Sequence, residues 1–198
     1  MNTLKLKLFV GVFAVALLLP STSMAYFTTA QSATKLTNDT ILYTVTYKFG
    51  FENRELYMPI MAIRENSMFT PNKASTIPHT KFVIQNKDGS ISTAGVASSI
   101  VITNDKNIQI RDSQYYLPAG KVANFQLIAL LTIPKENQTD DMDLSLLVTS
   151  LPFKMIQDGT PIPAQLNPSE LQYYHTPAIN LLKQKLTISG AVHTLTAK

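Results

Sequence analysis

The sequence predicts an all-β fold of packed antiparallel strands, and three observations carry that reading. Apolar and polar residues alternate with period two over several long stretches. Turn residues recur at short spacing between those stretches. Beyond residue 25, no segment repeats apolar side chains at the 3.6-residue period of a long helix.

The clearest strand is Thr40 to Phe49, where Ile41, Tyr43, Val45, Tyr47 and Phe49 point one way and Thr40, Leu42, Thr44, Thr46 and Lys48 the other. Glu55 to Arg64 is expected to be its antiparallel neighbour across a Gly50–Arg54 loop. Pro59 marks an edge or a bulge there, because proline cannot donate to a ladder. Lys81 to Gln85 is a strand closed by the turn Asn86-Lys87-Asp88-Gly89. Val96 to Thr103 and Asn107 to Arg111 flank the polar turn Asn104-Asp105-Lys106. Tyr115-Tyr116-Leu117 runs into the turn Pro118-Ala119-Gly120-Lys121.

Val122 to Ile133 is a long strand with Phe125, Leu127, Ala129, Leu131 and Ile133 on one face. Ile128 and Leu130 make the other face apolar too, so this half of the strand is expected to be covered on both sides. Leu144 to Leu151 completes the series. Eight or so strands with turn chemistry between them indicate a sandwich or barrel.

Tyr116-Leu117-Pro118-Ala119-Gly120-Lys121, followed by Phe125-x-Leu127, resembles the late strands of immunoglobulin-like domains in exported bacterial proteins. The resemblance covers Tyr116 to Leu127 and the general strand rhythm, and it implies an immunoglobulin-like antiparallel β-sandwich. That sandwich is expected to span residues 26–154, with residues 155–198 as a C-terminal extension packed on it.

The extension is proline-rich, with Pro161, Pro163, Pro168 and Pro177, and its proline-bearing passage cannot be a central strand. Asn167-Pro168-Ser169-Glu170 reads as a helix start, with Asn as N-cap, Pro in the first position and Glu in the third. One short helix, Pro168 to about Tyr174, should follow. Lys185 to Ser189 and Ala191 to Leu195 are weaker strand candidates.

The first 25 residues read as a secretory signal peptide. Lys5 and Lys7 precede the apolar run Leu8 to Leu19, Pro20 breaks that run, and Ser23 and Ala25 are small where a signal peptidase needs them. A bilayer-spanning helix needs about 20 apolar residues, more than this run supplies. Cleavage is expected between Ala25 and Tyr26, leaving a secreted or extracytoplasmic chain with no integral membrane segment. With no cysteine in the sequence, no disulfide supports the exported chain, which points to a bacterial source. Without Lys5 and Lys7 the 17 basic residues fall to 15 against 13 acidic ones, in no basic block, so nucleic acid is not indicated as a partner.

No catalytic, cofactor-binding or metal-binding constellation stands out. Asn86 to Ser92 resembles the middle of a calcium loop, but Ile84 and Gly95 stand where its first ligand and its final Glu belong. Glu136, Asp140, Asp141 and Asp143 crowd one loop without a named calcium spacing. His79, His175 and His193 are isolated along the chain, and there is no G-x-S-x-G elbow. Asn38-Asp39-Thr40 and Asn137-Gln138-Thr139 fit the N-glycosylation pattern, relevant only in a eukaryotic source.

Tyrosines are the most suggestive feature. A strand sends one ring of each Tyr-Tyr pair outward, so Tyr115 or Tyr116, and Tyr173 or Tyr174, are the candidate partner-binding aromatics. The functional expectation is therefore a non-enzymatic structural or binding module at the cell surface. Its partner would be an unidentified protein or glycan of the cell envelope. Two rivals stand beside it: a filament or matrix subunit that exchanges its N-terminal segment, Tyr26 to Leu36, with a neighbour, and a hydrolase with a dispersed active site.

Overall fold

A computed structural model describes residues 24–65, 78–139 and 142–183. Within them the chain forms β1 (Met24–Lys35), β2 (Thr40–Phe51), β3 (Glu55–Pro59), β4 (Ala62–Arg64), β5 (Thr80–Asn86), β6 (Val96–Ile102), β7 (Gln109–Arg111), β8 (Gln114–Leu117) and β9 (Val122–Thr132). After a 3-10 turn at Lys135–Asn137 come β10 (Asp143–Ser150), β11 (Pro152–Gln157), β12 (Thr160–Gln165), the short helix α1 (Pro168–Leu171) and β13 (Ile179–Asn180). The first sheet runs in the order β1-β2-β9-β6. Two others run β13-β10-β5-β4 and β12-β11-β3-β8-β7. The chain is all-β, and its sheets are antiparallel except where β4 pairs with β5.

The alternation in β2 makes the core. Ile41, Tyr43, Val45, Tyr47 and Phe49 are almost wholly buried beside Phe125, Leu127, Ala129 and Leu131 of β9, along a ladder running from Thr40 opposite Thr132 to Gly50 opposite Val122. The other two sheets cover this inner face. At one end the Tyr43 hydroxyl donates to the Leu144 carbonyl of β10 at 3.2 Å. At the other, Phe49 meets Phe153 of β11 with ring centres 4.9 Å apart, and Phe125 meets Tyr115 of β8 at 5.6 Å.

The immunoglobulin-like resemblance implied two facing sheets; here the facing layer is divided. β10 passes at Leu151 into β11, and β3 passes at Ile60 and Met61 into β4. β11 and β3 pair directly, whereas β5 lies between β10 and β4. A strand inserted antiparallel to β10 is thereby parallel to β4, which accounts for the one parallel pair.

The expected pairing of Glu55 to Arg64 with β2 is corrected. Glu55 to Arg64 is two strands, and neither adjoins β2. β9 takes the free side of β2 with a long uninterrupted ladder, which a stretch broken at Pro59 cannot offer. β3 is an interior strand, between β11 and β8, with Pro59 at its end opposite Gln114. β6 and β7 form no hairpin: the Asn104–Lys106 turn carries the chain from the first sheet to the other layer, where β7 pairs with β8.

The helix starts as expected and stops sooner. The Asn167 side chain accepts from the Glu170 amide at 3.0 Å, Glu170 accepts from the Asn167 amide at 2.7 Å, and Pro168 holds the first position. Pro161 and Pro163 lie in β12, a sheet edge that tolerates missing donors. The expected division after residue 154 falls inside β11. The strand candidates at Lys185–Ser189 and Ala191–Leu195, and the leader up to Ser23, lie outside the described residues.

Candidate functional site

Cross-strand register arranges the outer face of the first sheet in rows. Thr34 of β1, Leu42 of β2, Leu130 of β9 and Ser98 of β6 form one row. Ser32, Thr44, Ile128 and Ile100 form the next, which Met61 extends through its bridge to Ile100. Val96 stands one row beyond, opposite Thr132. Val96 is 62 % exposed, Met61 53 %, Ile100 45 % and Leu130 36 %, with Leu42 and Ile128 half-buried among them. The sequence predicts a cover over Ile128 and Leu130, and the segment expected to pack on the sandwich is the C-terminal extension. Its described part lies elsewhere: Tyr174 to Thr176 is stitched to β10, and β13 extends that same sheet. Lys48, opposite Asn124, is the one charged side chain on this face among the described residues. The sequence carried the signal in the apolar Ile128 and Leu130. Val96, Ile100 and Met61 were not singled out, because β6 carries apolar residues and a serine on each face and Met61 lies in the link between β3 and β4.

The tyrosine pairs separate. Tyr173 is 64 % exposed while Tyr174 is buried against Tyr47, ring centres 5.6 Å apart. Gln31 of β1 donates its side-chain amide to the Tyr173 carbonyl at 2.7 Å, which seats the exposed ring beside the sheet edge. Tyr115 and Tyr116 are both buried, so neither presents an open ring. The Tyr115 hydroxyl donates to the Val101 carbonyl at 3.0 Å. The outward-facing Tyr116 is closed over by the Arg111 guanidinium, 3.6 Å from its ring centre, and by Tyr57.

His175 comes within 2.9 Å of the Ser145 hydroxyl. An open hollow of about 410 Å³ lies alongside, lined by Leu147, Thr149, Pro168, Leu171, Gln172 and His175. A serine–histidine contact suits nucleophilic chemistry only when a third group orients the imidazole and the hydroxyl is open to substrate. Ser145 is buried within β10, and among the described residues no carboxylate is hydrogen-bonded to His175. The contact belongs to a stitch: the Val148 amide donates to the Tyr174 carbonyl, the Leu146 amide to the Thr176 hydroxyl, and the Thr176 amide to the Leu146 carbonyl.

The Asn86–Ser90 segment is a hairpin turn. Asp88 accepts from the Ser90 hydroxyl at 2.6 Å and from the Ser90 amide at 2.9 Å, and these bonds hold its carboxyl below the usual range. Of the acidic loop, Glu136 sits in the 3-10 turn and Asp143 opens β10 opposite Asn180; Asp140 and Asp141 lie outside the described residues. Among the described residues no three His, Cys, Asp or Glu side chains gather in a metal-holding group, and no helix is long and apolar enough to cross a membrane. Comparison with known protein families, with curated proteins and with solved structures finds no match.

Proposed function

We propose that this chain is a non-enzymatic extracytoplasmic module that serves a structural or binding role at the cell surface. The observation that carries the reading is the outer face of the first sheet, apolar at its centre and nearly free of charge. A contiguous apolar face on a small domain commonly marks a contact surface. Tyr173 adds an exposed ring at the β1 edge, suited to a glycan or a protein side chain. Fractionation of cells making the full chain, with intact mass of the product, tests the location. A product beginning at Tyr26 and recovered outside the cytoplasm is expected; a full-length product retained in the cytoplasm overturns the reading.

One observation favours the strand-exchange alternative. β1 is an edge strand, and of its side chains from Ala30 to Lys35 only Lys35 is buried. Over this half of the strand the ladder to β2 is joined by the Gln31 bond to the Tyr173 carbonyl and the Lys35 bond to the Leu181 carbonyl. Little of the core rests on it, so a neighbour's strand could take its place. Opposing this, Leu36 to Asp39 forms a tight turn in which the Leu36 amide donates to the Thr40 carbonyl at 2.9 Å, leaving little hinge. Polymers in the void volume on size exclusion are the outcome that reading requires.

A further inference from the structure

We propose that the outer face of the first sheet is where two copies of this chain pack, sheet against sheet. This rests on the binding role proposed above and names the partner. The centre of the face is Ile128, in the interior strand β9, with Ile100 beside it on β6 and the Leu42–Leu130 pair in the adjoining row. Around that centre stand Ser32, Thr34, Thr44, Ser98, Gln126 and Thr132, all neutral and all able to hydrogen-bond, while on the β6 side the apolar surface continues to Met61 and Val96. An apolar centre within a neutral polar rim is the anatomy of a protein interface.

Charge selects the occupant. Unlike partners are commonly steered and distinguished by complementary charge. Among the described residues this face offers Lys48 alone, at one end of its rows, so an acidic or basic partner finds little there to recognise. A second copy meets no like-charge repulsion, and a twofold axis near Ile128 lays apolar centre on apolar centre.

The area suffices for a reversible pair. Four strands about 4.8 Å apart over the seven residues that β6 shares with β9, and three strands over the rest of the eleven that β9 pairs with β2, give a face of roughly 450–650 Å². A standard interface takes about 800 Å² from each partner, so the pair sits at the weaker end of specific association. Because β9 is laddered on both sides, the face is already ordered before contact, which spares most of the ordering cost.

Sedimentation velocity of the chain beginning at Tyr26, at concentrations from about 1 to 200 µM, tests this. A monomer–dimer equilibrium is expected. Ile100→Lys and Ile128→Lys should each raise the dissociation constant about tenfold or more, because each buries an unpaired charge. Ile110→Lys, on the more exposed Ile110 of β7, should leave it unchanged. Circular dichroism confirms that each variant is folded; if Ile128→Lys is not, the 45 % exposed Ile100 decides alone. A monomer at every concentration overturns the proposal, as does a dimer indifferent to both lysines. So does a dimer that appears only after removal of residues 184–198, which would assign the face to the chain's own tail. A monomer recovered outside the cytoplasm removes the dimer and leaves the location standing; a dimer confined to the cytoplasm does the reverse.

Discussion

Two tyrosines of β2 face the same core and differ in what their hydroxyls meet. Tyr43 donates to the Leu144 carbonyl, whereas the buried Tyr47 hydroxyl has no hydrogen-bond partner among the described residues. Burial holds both phenols well above their usual value, so both stay neutral. Tyr43→Phe should cost about 1 kcal/mol, the net worth of a neutral hydrogen bond. Tyr47→Phe removes an unsatisfied polar atom, so stability should hold or rise by up to about 1 kcal/mol. Urea unfolding of both variants checks the pair, and equal losses would show that the Tyr47 hydroxyl is bonded. The inward face of β2 was legible because period two assigns it directly. Arg64 was not: at the end of an apolar strand it reads as a solvated terminus. It is instead buried, its guanidinium donating to the carbonyls of Ser92, Ala94 and Gly95 and pinning that loop against β4. A cation whose partners are backbone oxygens some 30 residues away leaves no pattern in the sequence around it.

Elements whose causes are local were legible, and elements defined by a distant partner were not. The α1 start was readable because Asn167, Pro168 and Glu170 cap one another within a single turn. The separation of β3 from β4, and the crossing from β6 to β7, depend on which strand reaches an open edge, and nothing within those segments states it. Gly95 belongs with the second kind. It has φ +68°, and an added Cβ would lie 2.3 Å from the Thr132 carbonyl oxygen, one residue before Val96 pairs with Thr132. Gly89 has a similar φ of +84° with open space around it. Gly89→Ala should therefore cost about 1 kcal/mol, the backbone penalty alone. Gly95→Ala should cost about 2–4 kcal/mol, since β6 must shift on β9 as well. Thermal melts of the two variants measure the difference, and equal losses would mean that the β6–β9 junction yields freely.

At the scale of the whole molecule, the all-β class was legible because it needs only alternation and turns, both written in every strand. The division of the second layer was not, since it follows from β5 lying between β10 and β4. The outer face of the first sheet was half legible: Ile128 and Leu130 announced a surface needing a cover, but the described part of the extension expected to supply it packs on β10 instead. For the C-terminal extension the structure permits a sharper expectation. Beyond Phe153 the chain buries Leu166, Leu171, Tyr174, Ile179 and Leu181 in the common core. It also supplies most of β11, which pairs with β3, and β13, which pairs with β10. Each such side chain stabilises by about 1.5–3 kcal/mol when buried, so these five together contribute roughly 8–15 kcal/mol. A domain's entire stability is about 5–15 kcal/mol. Ending the chain after Phe153 would also leave β3 and β10 with unpaired ladders beside the opened core, an invitation to association. The truncated chain should be unfolded or aggregated, without the cooperative melt of the parent, whereas ending it after Lys183 spares all five side chains and both strands and should keep that melt. A chain ending at Phe153 that stays monomeric and melts like the parent would show that the core closes without the extension.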